Sequence, residues 1–207
     1  MCYGRIMAVT QGVPAGRPRE FDLDQALDRA VEVFWRQGYE ATSLADLTAA
    51  MKIGKPSLYA AFGNKEQLFR RVLDRYSEGP GSYAVRALEE PTARKVVEAF
   101  LKGAVEATTR PQCPHGCLGV QAALAASDDG VAVHDLLTAW RDSARAMLEV
   151  RFRAALAEGD LTKGADPARL ARYVMTLSFG LAVQAAGGAE ADELLGVVEE
   201  VLLGWRS

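Results

Sequence analysis

Two groups of residues in this 207-residue chain have types and spacings that could do chemistry. The first is Cys113-Pro-His115-Gly-Cys117, which gathers two thiols and an imidazole into five residues. Two soft sulfurs and an imidazole suit copper or zinc, and Cys117 at a helix start could be a thiol of lowered pKa that senses oxidants or electrophiles. A tetrahedral zinc site wants four ligands, however, and His134 is the one other histidine. Proline and glycine between the candidate ligands equally describe an ordinary loop entering a helix, with Cys117 as a small buried hydrophobe. No metal and no cofactor are expected, and Cys113, His115 and Cys117 are the candidates should a metal bind.

The second group lies in the run Gly38 to Leu68. Thr42 and Ser43 offer hydroxyls and backbone N–H groups at a helix start, which suits a phosphate oxygen, and Tyr59 can add a phenolic hydroxyl. Lys55, Pro56 and Ser57 sit together where a lysine can meet guanine acceptors and a proline a thymine methyl. Lys52, Lys65 and, upstream, Arg17 and Arg19 add positive charge; Arg17-Pro18-Arg19 reads either as a minor-groove arm or as a solubilising tail. Double-stranded DNA is the partner this chemistry fits. There is no Gly-rich phosphate loop, nucleophile elbow, HExxH or acid/base pair beside a histidine, so an enzyme is not expected.

The elements that position these residues follow from their punctuation. Ser43 with Asp46 three residues on is a capping box opening a helix whose Leu44, Leu47 and Met51 share one face. Lys52, Ile53 and Gly54 leave room for a tight turn only. Lys55 to Phe62 is then a second short helix with Pro56 in its first turn, and Leu58 and Phe62, four apart, anchor it to the core. Asn64 caps a third helix, with Gln67 completing the box and Leu68, Val72 and Tyr76 facing inward. Upstream, Asp22 or Asp24 starts a bracing helix with Leu27, Val31 and Phe34 inward and Gly38 as its stop. Two short helices joined so tightly cross steeply, and the second projects as a probe of the major groove.

Through Gly38, Thr42, Ser43, Leu47, Lys55, Leu58, Tyr59, Phe62, Lys65 and Leu68, the segment Phe21 to Tyr76 resembles the tetracycline-repressor (TetR/AcrR) family of one-component bacterial regulators. The turn departs from that family, which usually carries glycine where this chain has Lys52. The resemblance implies an all-α protein in which an N-terminal three-helix helix-turn-helix domain precedes a C-terminal helical domain for effector binding and dimerisation. The divisions expected are 1–19 as a flexible arm, 20–66 as the DNA-binding domain and 67–207 as the remainder. It also implies a homodimer paired through its last two helices on a palindromic operator. A small effector of unknown identity would sit among the central helices, with Phe100, Cys117, Gln121, Trp140, Met147, Met175 and Phe179 as candidate lining.

Charge divides in the same way. Residues 1–76 carry 11 Lys and Arg against 9 Asp and Glu, whereas residues 77–207 carry 13 against 18, so only the first region favours phosphates. No stretch of about twenty residues is free of strongly polar groups, and the start is too weakly apolar for a secretory signal. No membrane partner and a cytoplasmic location are expected, consistent with three sparse cysteines.

Beyond Tyr76, Ser77 to Gly81 reads as a break or flexible joint, and no strand pattern follows. Pro91 opens a helix bearing Val97, Phe100, Leu101, Ala104 and Val105; Cys117 to Ala126 is a short apolar helix; Val131 to Glu158 is a long one stopped by Gly159. Asp166-Pro167 starts a helix apolar on nearly every side, and Ala191 to Trp205 closes the chain with more apolar surface than one monomer needs. The small residues Gly180, Ala182, Ala185 and Ala186 permit close helix approach, and a two-fold four-helix interface is the simplest burial. The mechanism expected is repression by occupancy, relieved by a ligand acting through Lys65 to Tyr76. Metal or thiol sensing at Cys113/His115/Cys117 and activation rather than repression are its alternatives.

Overall fold

The structure is a computed structural model that describes residues 22–124 and 131–205. Among these residues there are ten α-helices and no strand. Arg17 and Arg19 lie outside the described residues.

The first four helices form the head. α1 spans Leu23–Ala41, with the Asp22 carboxylate accepting from the N–H groups of Asp24 at 2.9 Å and Gln25 at 3.2 Å. Ala26, Ala30, Val31, Phe34 and Trp35 are its buried face. Regular geometry ends at Gly38, whose φ of 75° and ψ of 176° lie in a region open essentially to glycine, so the stop expected there is a backbone break within the span. α2 (Leu44–Met51) carries the expected Ser43/Asp46 box, and α4 (Lys65–Glu78) the expected Asn64/Gln67 box. Between them α3 (Lys55–Phe62) starts from Gly54 with Pro56 in its first turn. Leu47, Met51, Leu58, Phe62, Leu68, Phe69, Val72 and Leu73 join the α1 face in one core. An aromatic chain runs through it: Tyr39 and Phe34 each lie 5.0 Å from Phe69, Trp35 lies edge-on to Tyr76 at 4.9 Å, and Tyr76 lies 6.1 Å from Trp140.

The expected joint after Tyr76 is instead compact. α4 ends at Glu78, a 3-10 turn over Pro80–Ser82 follows, and α5 (Tyr83–Ala87) begins without an intervening loop. Tyr83 packs so tightly on the following helix that a Cβ at Gly103 would stand 2.6 Å from its Cβ. α6 (Ala93–Thr109) is capped by Thr92 rather than opened by Pro91. α7 (Leu118–Leu124) packs against α1, and the Trp35 indole N–H donates to the Gly116 carbonyl at 2.9 Å just ahead of it. α8 (Val131–Glu158), α9 (Pro167–Ala186) and α10 (Ala191–Gly204) complete the chain. Their second core joins Val97, Phe100 and Leu101 to Leu148, Phe152, Val174, Leu181, Val198 and Leu202.

α9 was expected to be covered on all sides. In the single chain it is not: Val183 is 48% exposed, Tyr173 is exposed, and nothing lies within 4 Å of a Cβ built at Gly180. On α10, Leu203 is 78% exposed and Val197 is also exposed.

Candidate nucleic-acid interface and effector cavity

The turn between α2 and α3 is built around Lys52, which adopts φ 57° and ψ 43°. Among the described residues it is the one non-glycine with positive φ. The cost of such a conformation for a side chain with a Cβ is about 1–2 kcal/mol. It is held by bonds from the Lys52 and Ile53 N–H groups to the Ala49 and Thr48 carbonyls, and Arg29 from α1 donates to the Met51 carbonyl at 3.4 Å. The lysine therefore performs the left-handed turn that glycine performs in the resembled family, with its side chain exposed.

The turn leaves α3 with Leu58 and Phe62 buried beneath it and Lys55, Pro56 and Tyr59 on the outside, Tyr59 being 49% exposed. Ser57 is partly exposed beside them. This is a shelf whose polar leading turn faces solvent.

The other expected contacts divide. Ser43 is exposed, but its hydroxyl donates to the Asp46 carboxylate at 2.6 Å and its N–H donates to the same carboxylate at 2.9 Å. The bond from the Ser43 hydroxyl holds the Asp46 carboxyl below the usual carboxylate range. Thr42 departs from the expectation. It is 1% exposed, and its hydroxyl donates to the Gly38 carbonyl at 2.6 Å, turned inward because the broken end of α1 leaves that carbonyl without a helical partner. Lys65 is partly buried, with Nζ 4.3 Å from the centre of the Tyr39 ring. Burial lowers its pKa, against the opposing charge of Glu40. Sequence reasoning passed over Arg70 and Arg71 at the far end of α3. Arg71 donates to the Ala61 carbonyl at 3.1 Å and Arg70 pairs with Glu66 at 2.8 Å.

A second site lies beneath α4. Of the seven residues expected to line a pocket, six border a single cavity: Phe100, Cys117, Trp140, Met147, Met175 and Phe179. Gln121 does not reach it; its amide donates back to the His115 carbonyl at 2.9 Å, and the lining includes Cys117, just ahead of α7, but no residue of α7 itself. The wall also holds Tyr76, Ser77, Tyr83 and Ser178, which sequence reasoning did not single out. The cavity measures about 80 Å³. Burial raises the pKa of Tyr76, Tyr83 and Cys117, so all three are uncharged near neutrality. The Cys117 thiol and the Leu118 N–H are the polar groups that act on the Tyr76 phenol.

The Cys113/His115/Cys117 set does not converge. Both cysteines are free and buried while His115 is exposed, and among the described residues no group of three or more potential ligands could hold a metal. The burial that raises the Cys117 pKa is the opposite of what a reactive thiolate needs, which does not favour the sensing alternative at that thiol. No helix among the described residues is long and apolar enough to cross a membrane.

Two family models match the chain. "Bacterial regulatory proteins, tetR family" covers residues 26–72, and "Tetracyclin repressor-like, C-terminal domain" covers residues 93–200. The HTH-type transcriptional repressor ComR of Escherichia coli (strain K12) is 32% identical over 92% of this chain and 91% of its own length. Among solved structures, a cysteine mutant of the TetR family transcriptional regulator CifR, complexed with 26bp double-strand operator DNA, is 45% identical. It covers 92% of this chain and 100% of that one, with a TM-score of 0.87. A putative TetR transcriptional regulator from Rhodococcus sp. RHA1 is 47% identical, covering 86% of this chain and 96% of that one, with a TM-score of 0.59. With a helix-turn-helix head, an all-helical body and these matches along both, the chain belongs to the TetR family of bacterial transcriptional regulators.

Proposed function

We propose that the protein is a cytoplasmic, homodimeric repressor that occupies a palindromic operator and is released from it by a small effector. The observation that carries DNA reading is the shelf formed by α3, whose apolar residues Leu58 and Phe62 hold it to the core while Lys55, Pro56 and Tyr59 face outward. ComR is named a repressor, and the CifR structure holds operator DNA, which supports the same use of this head.

In this reading Lys55, Pro56 and Ser57 meet base edges, and Ser43, Lys52, Tyr59 and Lys65 fix register on phosphates, with Arg17 and Arg19 as an arm. Thr42 contributes by holding the start of α2. Residues 20–66 read DNA and 67–207 bind effector and partner, α4 being the wall between them. Pairing uses the exposed side of α9 and α10, where Tyr173, Val183, Val197 and Leu203 lie uncovered. The cavity bordered by Trp140 and Cys117 holds the effector. Tyr76 lies on its wall and in the core of the head, so an occupant that favours another position of α4 shifts the population away from the DNA-competent state.

The test is binding to the DNA upstream of the protein's own gene across a salt series. Wild type should footprint a palindrome with log affinity falling as salt rises, and Lys55→Ala should bind it about 1–3 kcal/mol more weakly. Affinity unchanged by both salt and Lys55→Ala would refute the reading.

A further inference from the structure

The hydrogen bonds of the cavity wall, taken one hydroxyl at a time, specify what the cavity accepts. Ser77 donates to the Leu73 carbonyl at 2.9 Å and accepts from the Trp140 indole at the same distance. Thr108 donates to the Ala104 carbonyl at 2.7 Å, and Ser143 to the Trp140 carbonyl at 2.7 Å. The Tyr76 phenol has the Cys117 thiol as its polar neighbour. The remaining two hydroxyls, of Tyr83 and Ser178, both border the cavity, where Ser178 counters the effect of burial on the Tyr83 phenol. A bond between them uses one of their two protons and leaves one O–H that meets no backbone or side-chain acceptor among the described residues.

This pair is deep in the protein. Ser178 is 5% exposed, and burial is the largest influence on the Tyr83 phenol, driving its pKa upward. A donor buried without an acceptor is costly, so a ligand that supplies an acceptor gains the difference. Around this donor the wall is apolar: Phe100, Met147, Met175, Phe179 and Ala182. No Lys, Arg, Asp, Glu or His lines the cavity among the described residues. An ionic ligand would lose its hydration with no opposite charge to meet it. Val85 and Met147, both with exposed apolar surface, stand on the wall as well, giving an apolar ligand a path from solvent between α5 and α8.

We propose that the cavity takes a small, uncharged, largely apolar molecule carrying one hydrogen-bond acceptor, and that the Tyr83–Ser178 pair donates to that acceptor. The cavity's present size of about 80 Å³ is far below the roughly 300–1,000 Å³ of a drug-sized site, so the occupant is compact or the wall moves outward to admit it. This inference rests on the cavity being the effector site, but it concerns the cavity's chemistry and is tested without DNA.

The test uses three five-membered-ring probes with the full-length protein: cyclopentanone, cyclopentane and cyclopentanecarboxylate. Binding is read by Trp fluorescence, since Trp140 lies on the wall, and by calorimetry. Saturable millimolar binding is expected for cyclopentanone, as befits so few atoms, with weaker binding of cyclopentane and none of the carboxylate. Tyr83→Phe, which keeps the ring that stands 5.5 Å from Phe100, and Ser178→Ala each leave one hydroxyl with its proton, so each should retain cyclopentanone binding within about two-fold. The double variant Tyr83→Phe/Ser178→Ala should weaken cyclopentanone about three- to ten-fold while leaving cyclopentane unchanged. Carboxylate binding equal to that of the ketone, full ketone affinity in the double variant, or no saturable ketone binding in the wild type would overturn the proposal. Failure of the operator footprint with these ligand results intact would overturn the repressor reading alone.

Discussion

Replacing Tyr76 with phenylalanine removes one oxygen from the seam between the head and the body. The side chain is 2% exposed, and its ring contacts with Trp35 at 4.9 Å and Trp140 at 6.1 Å survive the change. The phenol's two polar neighbours lose their partner: the Leu118 N–H, one of the orphan donors at the start of α7, and the Cys117 thiol. Leu118 is fully buried, so no water replaces the lost acceptor, and an orphaned buried donor costs about 1–3 kcal/mol. The sulfur is a weak acceptor and adds little. For a chain of this length each kcal/mol moves the thermal midpoint by about 2–4 °C, so the middle of the range predicts a drop of about 4–8 °C. Circular dichroism melts at matched protein concentration measure it, since the midpoint of a dimer depends on concentration. A midpoint within about 1 °C of wild type would show that Tyr76 does not cap α7 and would refute the reasoning.

Two further outcomes follow from the same structure. Lys52→Gly relieves a left-handed backbone worth about 1–2 kcal/mol but loosens the unfolded chain by about 0.4–1 kcal/mol. Its melt should therefore match or exceed wild type, whereas Lys52→Val should melt lower, and a clearly lower Lys52→Gly midpoint contradicts the turn geometry. Tyr76, Tyr83 and Cys117 all have raised pKa values through burial, so the folded state holds protons that the unfolded chain releases. Their contribution to stability is complete below the unfolded pKa values and is lost as pH rises beyond about 9, at about 1.4 kcal/mol per pH unit for each group. Denaturant titrations from pH 7 to 11 should show this decline, with a shallower slope above pH 10 in Tyr83→Phe; an unchanged slope would contradict the burial of that phenol.

The head was legible because its signals are local. Asp22, Ser43 with Asp46, Asn64 with Gln67, and Asp166 each bond the N–H groups their spacing promises, and Gly159 ends α8 with a φ of 81°. Leu58 and Phe62 four apart sufficed to place α3 on the core. Where sequence reasoning departed from the structure, a long-range contact decided. Tyr83 to Ala87 is too short to show a helical period and follows Pro80-Gly81, so no helix was expected between the Ser77 to Gly81 joint and Pro91. The Thr42 hydroxyl turned inward because a carbonyl at Gly38 needed it. Gln121 was placed in the expected pocket as a residue of the central helices, yet its amide turns to the His115 carbonyl. The hydroxyls of Tyr76, Tyr83 and Ser178 come from three helices, and no spacing within one helix shows that they meet.

Everything functional in this account depends on two copies of α3 being presented together by pairing through α9 and α10. Leu203, 78% exposed on α10, can take a charge without disturbing the single chain's core. Sedimentation of Leu203→Glu, alone and with a palindromic duplex, is the most direct test. The account predicts a dimeric wild type, and a folded monomeric variant whose operator affinity falls at least about a hundredfold because each head must then bind alone. A monomeric variant that holds the operator as tightly as wild type would contradict it.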